Sequence, residues 1–371
     1  MKTAFLVLVA SLSCLAQART LKEAYAPHFK VGAAINGGAF LRAGSPVGAV
    51  AAREFSSITP ENEMKPASLQ PREGQFRWDV ADRFVAFGEQ HKMKIIGHCL
   101  VWHNQTPDWF FKNADGSKAD RETLIARMRA HIHAVVGRYK GRVHGWDVVN
   151  EAFDDRGRIH PSPWRDGIGE DFLELAFTFA HEADPDAELY YNDFNMFQRG
   201  KRAGVVRMLQ RFKEKGVFIT GVGLQCHTAL HGARVEEYEE TIKAIAAEGK
   251  KAMITELDVS VLPSAWGHTA EITARKDYAE KFNPWKDGNL PEAKQQELAK
   301  RYTDLFAMFL RHADVIDRVT FWGVGDGQSW LNGFPVRGRT DYPLLFDRKL
   351  QPKPCYDAVL ALARSVGFAR E

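Results

Sequence analysis

The chain has 371 residues, 45% of them hydrophobic and 26% charged, a globular composition that argues against extensive disorder and supplies material for a large core. A net charge of only +3, with Lys and Arg interleaved among Asp and Glu, gives no basic footprint for nucleic acid and points to a neutral ligand. Aromatic residues make up 11%, including nine Trp, several of them beside loop-like residues where burial alone would not place them.

Residues 1–18 begin with Lys2, run through an apolar stretch at 4–9 with Leu12 and Leu15 beyond, and finish Ala16-Gln17-Ala18, the pattern of a signal peptide. The stretch is too short to span a bilayer and no other segment approaches ~20 apolar residues, so a secreted or periplasmic protein without a membrane span is expected. Cys14 offers a competing reading as a lipid-attachment site, to which Ser11-Leu12-Ser13 is a poor match. Cleavage leaves Cys99, Cys226 and Cys355, an odd number without CxxC spacing, so at most one disulfide could form. Cys99 and Cys226 lie in apolar runs and read as small buried hydrophobes.

Residues 19–371 alternate short apolar runs with longer amphipathic stretches and contain no Ser/Pro-rich linker, so one domain is expected. The strand candidates are 31–35, 57–60, 94–102, 143–149, 188–194, 221–227, 252–259 and 318–324, followed respectively by helix-compatible stretches at 46–53, 80–91, 121–139, 172–183, 202–215, 235–248, 291–313 and 355–363. Eight β-then-α units with near-continuous apolar strands predict a parallel sheet closed into a (β/α)8 TIM barrel. A doubly wound open sheet is the rival, but Asn36-Gly37-Gly38-Ala39-Phe40 after the first strand lacks the GxGxxG turn. The loop after the seventh strand, about 262–290, is unusually long and carries Trp266, Phe282 and Trp285; it is expected either to overhang the site or to fold as a surface excursion.

In such a barrel the functional side chains gather at the C-terminal strand ends. Glu151 closes the fourth strand and Glu256 lies late in the seventh, 105 residues apart, so only the fold can bring them to one cavity. Two carboxylates on stiff mounts are what glycosidic bond cleavage requires. The polar strings Glu61-Asn62-Glu63-Met64-Lys65, His98 to Gln105, Asn192-Asp193, Gln225-Cys226-His227 and Trp322 stand at other strand ends, where burying them without a task would be costly. A metal-dependent hydrolase is a rival reading of the histidines, but the one HxH, His131-Ile132-His133, falls in a helix, where residues two apart diverge. A sugar-binding protein without turnover is a second, weighed against by the presence of both carboxylates.

Five strings carry a resemblance: Thr59-Pro60-Glu61-Asn62-Glu63-Met64-Lys65, Gly97-His98-Cys99-Leu100-Val101-Trp102-His103, Trp146-Asp147-Val148-Val149-Asn150-Glu151, Thr255-Glu256-Leu257-Asp258 and Thr320-Phe321-Trp322-Gly323. Together and in this order they resemble the family 10 glycoside hydrolases, the endo-β-1,4-xylanases, across essentially the whole chain after residue 18. The resemblance implies retaining hydrolysis of xylan with no cofactor or metal, Glu256 as nucleophile and Glu151 as acid/base. It implies His227 and Asp258 as supports of Glu256, Asn150 as a contact to the sugar 2-hydroxyl, and Gln225 close to the acid/base. It further implies a sugar pocket from Glu61, Asn62, Lys65, His98, Trp102 and Gln105, walled by Trp322 and Trp330. Xylan and xylo-oligosaccharides are then the expected partners of a monomeric enzyme. Phe194 stands where many relatives carry Tyr, and Cys99 and Cys226 replace commoner Thr and Ser, departures that bear on fine specificity.

Overall fold

The computed structural model describes residues 20–264 and 282–367. The expected signal peptide with Cys14, and Trp266 of the long loop, lie outside the described residues. The strands are β1 (Lys30–Ile35), β2 (Ser57–Pro60), β3 (Lys94–Val101), β4 (Gly145–Asn150), β5 (Glu188–Asp193), β6 (Gly221–Leu224), β7 (His227–Ala229), β8 (Lys251–Ser260) and β9 (Ile316–Phe321). All pairings are parallel; β1 to β6 neighbour one another in order, β6 pairs with β8, β8 with β9 and β9 with β1. Eight strands therefore close a ring, the expected (β/α)8 barrel, and the strand called seventh from sequence is β8.

Helices Pro46–Glu54, Asp79–Gln90, Arg121–Arg138, Phe172–Ala183, Arg199–Lys215, Val235–Ala247, Glu292–Arg311 and Pro354–Gly367 occupy the eight expected places. Sequence reading missed Leu21–Tyr25, Gly37–Phe40, Pro66–Leu69 and Pro163–Ile168, each of six residues or fewer. So short a helix completes too few turns to display a 3.6-residue period.

The apolar face of each helix and the outward side chains of the strands form one large core. Ile96, Tyr190 and Met253, from β3, β5 and β8, pack separately as a barrel-interior layer drawn from alternate strands. Near the strand N-termini this layer is closed by the Arg318 guanidinium, 5.3 Å from the Tyr190 ring centre, and by an ion pair between Lys94 and Glu188. On the opposite, outer face of β3 Gly97 is required, since a Cβ would stand 2.1 Å from the Trp146 ring.

Two departures from regular strands prepare the opposite, C-terminal face. The run expected as one strand over 221–227 is broken at Gln225 and Cys226, and Cys226 takes a left-handed φ of 57°. The chain resumes as β7, with His227 in register with Asp258. Register also shifts between Asp147 and Val149 and between Ile254 and Leu257. Such bulges re-aim the side chains that follow or occupy them, here Asn150, Glu151 and Glu256. The described end of the long loop is tied to the segment after β9, with Asn283 exchanging bonds with Gly338 O (3.1 Å) and Thr340 N (2.9 Å), and Tyr342 Oη donating to Trp285 O at 2.6 Å.

Candidate active site

The C-terminal strand ends surround a cavity of about 730 Å³, lined among others by Lys65, His98, Trp102, Glu151, Glu256 and Trp322. Its volume is that of a small-molecule site, and it opens where a (β/α)8 barrel carries its chemistry.

Glu256 is buried and held from both sides. Oε1 accepts from Asn192 Nδ2 at 2.8 Å and Oε2 from His227 Nε2 at 3.1 Å. His227 Nδ1 donates to Asp258 Oδ2 at 2.9 Å, and the same oxygen accepts Trp330 Nε1 at 2.8 Å. Alternation along β8 puts Glu256 and Asp258 on one side, which is why a single imidazole from β7 reaches both. Burial alone would push the imidazole toward neutrality, but the Asp258 charge and hydrogen bond, joined by Glu256, raise His227 to about 10. Burial likewise works to raise Glu256, and is outweighed by the His227 hydrogen bond and charge, with His98 and Asn192 adding to it, so its carboxyl is held below the usual range. Glu256 therefore stays ionised.

Glu151 has the opposite setting. It follows β4 in left-handed backbone, φ 57°. Oε1 accepts from Gln225 Nε2 at 2.8 Å and Oε2 from Trp102 Nε1 at 2.9 Å. Both contacts favour the charged form, yet burial raises its pKa, and the charges of Asp193 and Glu256 raise it further. A pKa raised on Glu151 beside one lowered on Glu256 is the division of labour that separates an acid from a nucleophile.

The remaining expected residues fall into two groups. His98 lines the cavity, with Nδ1 2.9 Å from Asp147 Oδ2 and its ring edge-on to Trp322. Lys65 lines it too, 5.0 Å from the Trp102 ring centre, and donates to Asn62 Oδ1 and Gln105 Oε1, both at 3.0 Å. Asn62 and Gln105 thus join the site by holding Lys65, whereas Glu61 accepts from Asn36 Nδ2 at 2.8 Å, a residue that does not line the cavity; none of these three is among the lining residues. Asn150, Gln225, His227, Asp258, Trp322 and Trp330 all line the cavity. His131 and His133 part company as the helix reading expected, bonding Gln70 at 2.7 Å and Glu182 at 3.2 Å. Cys99, Cys226 and Cys355 are buried free thiols.

Sequence reading set Asn192 at a strand end without giving it a role, which the structure supplies. Fully buried at the end of β5, it spends one N–H on Glu256 and the other on Asn150 Oδ1 (2.9 Å), and its oxygen accepts Thr255 Oγ1 at 2.6 Å. Asn150 also lies 3.5 Å from Gln225 Nε2, so the chain Glu256, Asn192, Asn150, Gln225, Glu151 links the two carboxylates. Gly223 makes room for it, since a Cβ there would come 2.4 Å from Asn192 Oδ1. The signal available was a polar Asn-Asp pair closing a buried strand, which marks a site without saying what each member holds. Phe194, at the departure from the Tyr of many relatives, also lines the cavity and lies under the Lys201 ammonium at 3.8 Å.

A carboxylate held ionised, a second carboxyl biased toward its protonated form and aromatic walls around one cavity suit attack at a sugar carbon with protonation of the departing oxygen. Among the described residues no three His, Cys, Asp or Glu side chains group as a metal site. Residues 20–362 match the sequence model of Glycosyl hydrolase family 10. Endo-1,4-beta-xylanase A of Xylanibacter ruminicola is 44% identical over 345 residues, covering 92% of this chain and 93% of that one. An endo-1,4-beta-xylanase of Geobacillus stearothermophilus is 40% identical, covering 91% and 96% respectively. Among solved structures, a GH10 endoxylanase retrieved from sugarcane soil metagenome superposes with a TM-score of 0.90 at 48% identity, covering 92% of this chain and 99% of that one. Sequence, fold and these relatives agree that the chain belongs to glycosyl hydrolase family 10.

Proposed function

We infer that the protein is an endo-β-1,4-xylanase that cleaves xylan with retention of anomeric configuration through a covalent glycosyl-enzyme. The observation that carries this reading is the opposite treatment of two carboxylates in one cavity, Glu256 held ionised by His227 and Asn192, Glu151 biased toward its protonated form. Glu256 attacks the anomeric carbon as the glycosidic C–O bond breaks, and the departing oxygen takes the Glu151 proton. Glu256 is then esterified and its charge is gone, which lowers the pKa of the now ionised Glu151. That carboxylate takes a proton from water, whose oxygen attacks the same carbon and releases Glu256.

Asn150 has its oxygen committed to Asn192, which leaves its amide N–H groups to meet the sugar 2-hydroxyl. Lys65 and His98 supply polar contacts on the glycone side, while Trp322 and Trp330 offer flat faces to the pyranose ring. Xylan as substrate is supported by relatives that carry the name endo-1,4-beta-xylanase at 38–44% identity. All steps use side chains and water alone, so EDTA should leave the rate unchanged. Export with removal of residues 1–18 and action as a monomer complete the proposal, to be read from the N-terminus and mass of the exported protein.

An NMR time course on xylohexaose tests the core of it. The β-anomer of internal cleavage products should appear first, and Glu256→Ala and Glu151→Ala should each abolish turnover. Initial release of the α-anomer would reject retention, and near-wild-type rates in Glu256→Ala would reject the nucleophile.

A further inference from the structure

The backbone at Glu151 is left-handed, a conformation unfavourable for a residue with a Cβ, so something must hold it. Its N–H donates to Asn192 O at 2.8 Å, and its carbonyl accepts His160 Nε2 at 2.9 Å. The next two amides, Ala152 and Phe153, both donate to the hydroxyl oxygen of Tyr191, at 2.9 and 3.3 Å. A phenol that accepts twice has one proton left to place, and Tyr191 gives it to Asp193 Oδ2. Asp193 Oδ1 in turn accepts Lys201 Nζ at 2.8 Å. Tyr191, Asp193 and Lys201 are all fully buried. A buried ion pair is a poor stability device, because the cost of desolvating both charges offsets most of their attraction. What this one accomplishes is directional: it turns the tyrosyl proton away from the two amides.

We propose that Tyr191, Asp193 and Lys201 form a positioning unit for the acid/base, in which Lys201 neutralises Asp193, Asp193 takes the tyrosyl proton, and the hydroxyl lone pairs fix the turn that aims Glu151. The unit rests on the reading of Glu151 as acid/base. It acts through the backbone at residues 152 and 153 and touches no reacting atom. The Asp193 charge also stands among the influences that, after burial, raise the pKa of Glu151.

The test is Tyr191→Phe, which keeps the ring packed edge-on against Phe153 and deletes the hydroxyl, and with it both the acceptor for the two amides and the donor to Asp193. kcat/KM is measured on aryl β-xylobiosides whose leaving phenols range from dinitrophenol, which departs without a proton, to phenol, which needs one. A misaimed acid should lower kcat/KM for the phenyl substrate about 10- to 100-fold while leaving the dinitrophenyl substrate within about threefold. Partial unfolding would lower both by one factor, so the ratio between substrates isolates positioning. Asp193→Asn, which keeps the shape and removes the charge, should tilt the ratio in the same direction. Equal losses on both substrates, or no loss, overturn the unit. Glu151→Ala runs beside them: if it spares the dinitrophenyl substrate while Tyr191→Phe shows no tilt, only the positioning unit fails; if it loses both equally, the acid assignment fails and takes the unit with it.

Discussion

Asp258→Asn isolates the electrostatic half of the nucleophile's support. Asp258 Oδ2 accepts from His227 Nδ1 at 2.9 Å and from Trp330 Nε1 at 2.8 Å, and an asparagine oxygen can take both bonds, so the geometry survives while the charge goes. Asp258 is the main influence holding His227 at about 10 against the cost of burial, so the variant imidazole becomes neutral within the working pH range. The wild-type imidazolium is complete at neutral pH and is lost only as pH rises through about 10. Hydrogen bonds involving charged groups contribute about 1.5–3 kcal/mol, against about 1 kcal/mol for neutral ones. Losing the charged His227 to Glu256 contact, at tenfold per 1.36 kcal/mol, should therefore lower kcat/KM at pH 7 by roughly 10- to 100-fold. The sign on pH is fixed as well. Glu256 must be ionised, so activity is present above its pKa and lost as pH falls through it; weakening His227 raises that pKa and moves the acid limb of kcat/KM to higher pH. The assay is kcat/KM against pH on an aryl β-xylobioside, where the free-enzyme limbs are read directly. An acid limb that does not move, with kcat/KM at pH 7 within about twofold of wild type, would refute the chain from Asp258 through His227 to Glu256.

Other expectations are more local. Asn192→Ala strands Thr255 Oγ1 and removes one of the two donors to Glu256, so unfolding should come easier by about 1–3 kcal/mol and kcat/KM should fall; a variant as stable and active as wild type would deny Asn192 its linking role. Trp102→Phe deletes a donor that favours ionised Glu151. Since the acid acts protonated and activity is lost as pH rises through its pKa, the alkaline limb should move to higher pH in this variant, and a move to lower pH would contradict the assignment. Cys99, Cys226 and Cys355 should resist Ellman's reagent in the native protein and react on denaturation; rapid native labelling would show that the closely packed barrel opens.

The sequence determined the architecture, because a (β/α)8 barrel is built from local regularities. Eight apolar runs and eight amphipathic stretches each carry their own period, and the strand ends declare themselves by where the apolar run turns polar. It also placed Glu151 and Glu256 on such ends, while His227 was tied to Asp258 only through the family resemblance. Only the tertiary structure decided how these groups are partnered. Trp102, expected as a sugar contact, donates to Glu151, and Trp330, expected as a wall, also bonds Asp258. Asn192 binds across β4 and β8, and Tyr191 holds a turn 38 and 39 residues away in sequence. The left-handed φ at Glu151 and Cys226 is invisible beforehand, since neither residue type announces it. The physical reason is one of range: periodicity is a property of neighbours along the chain, whereas protonation state is set by burial and by partners that become neighbours only when the ring closes.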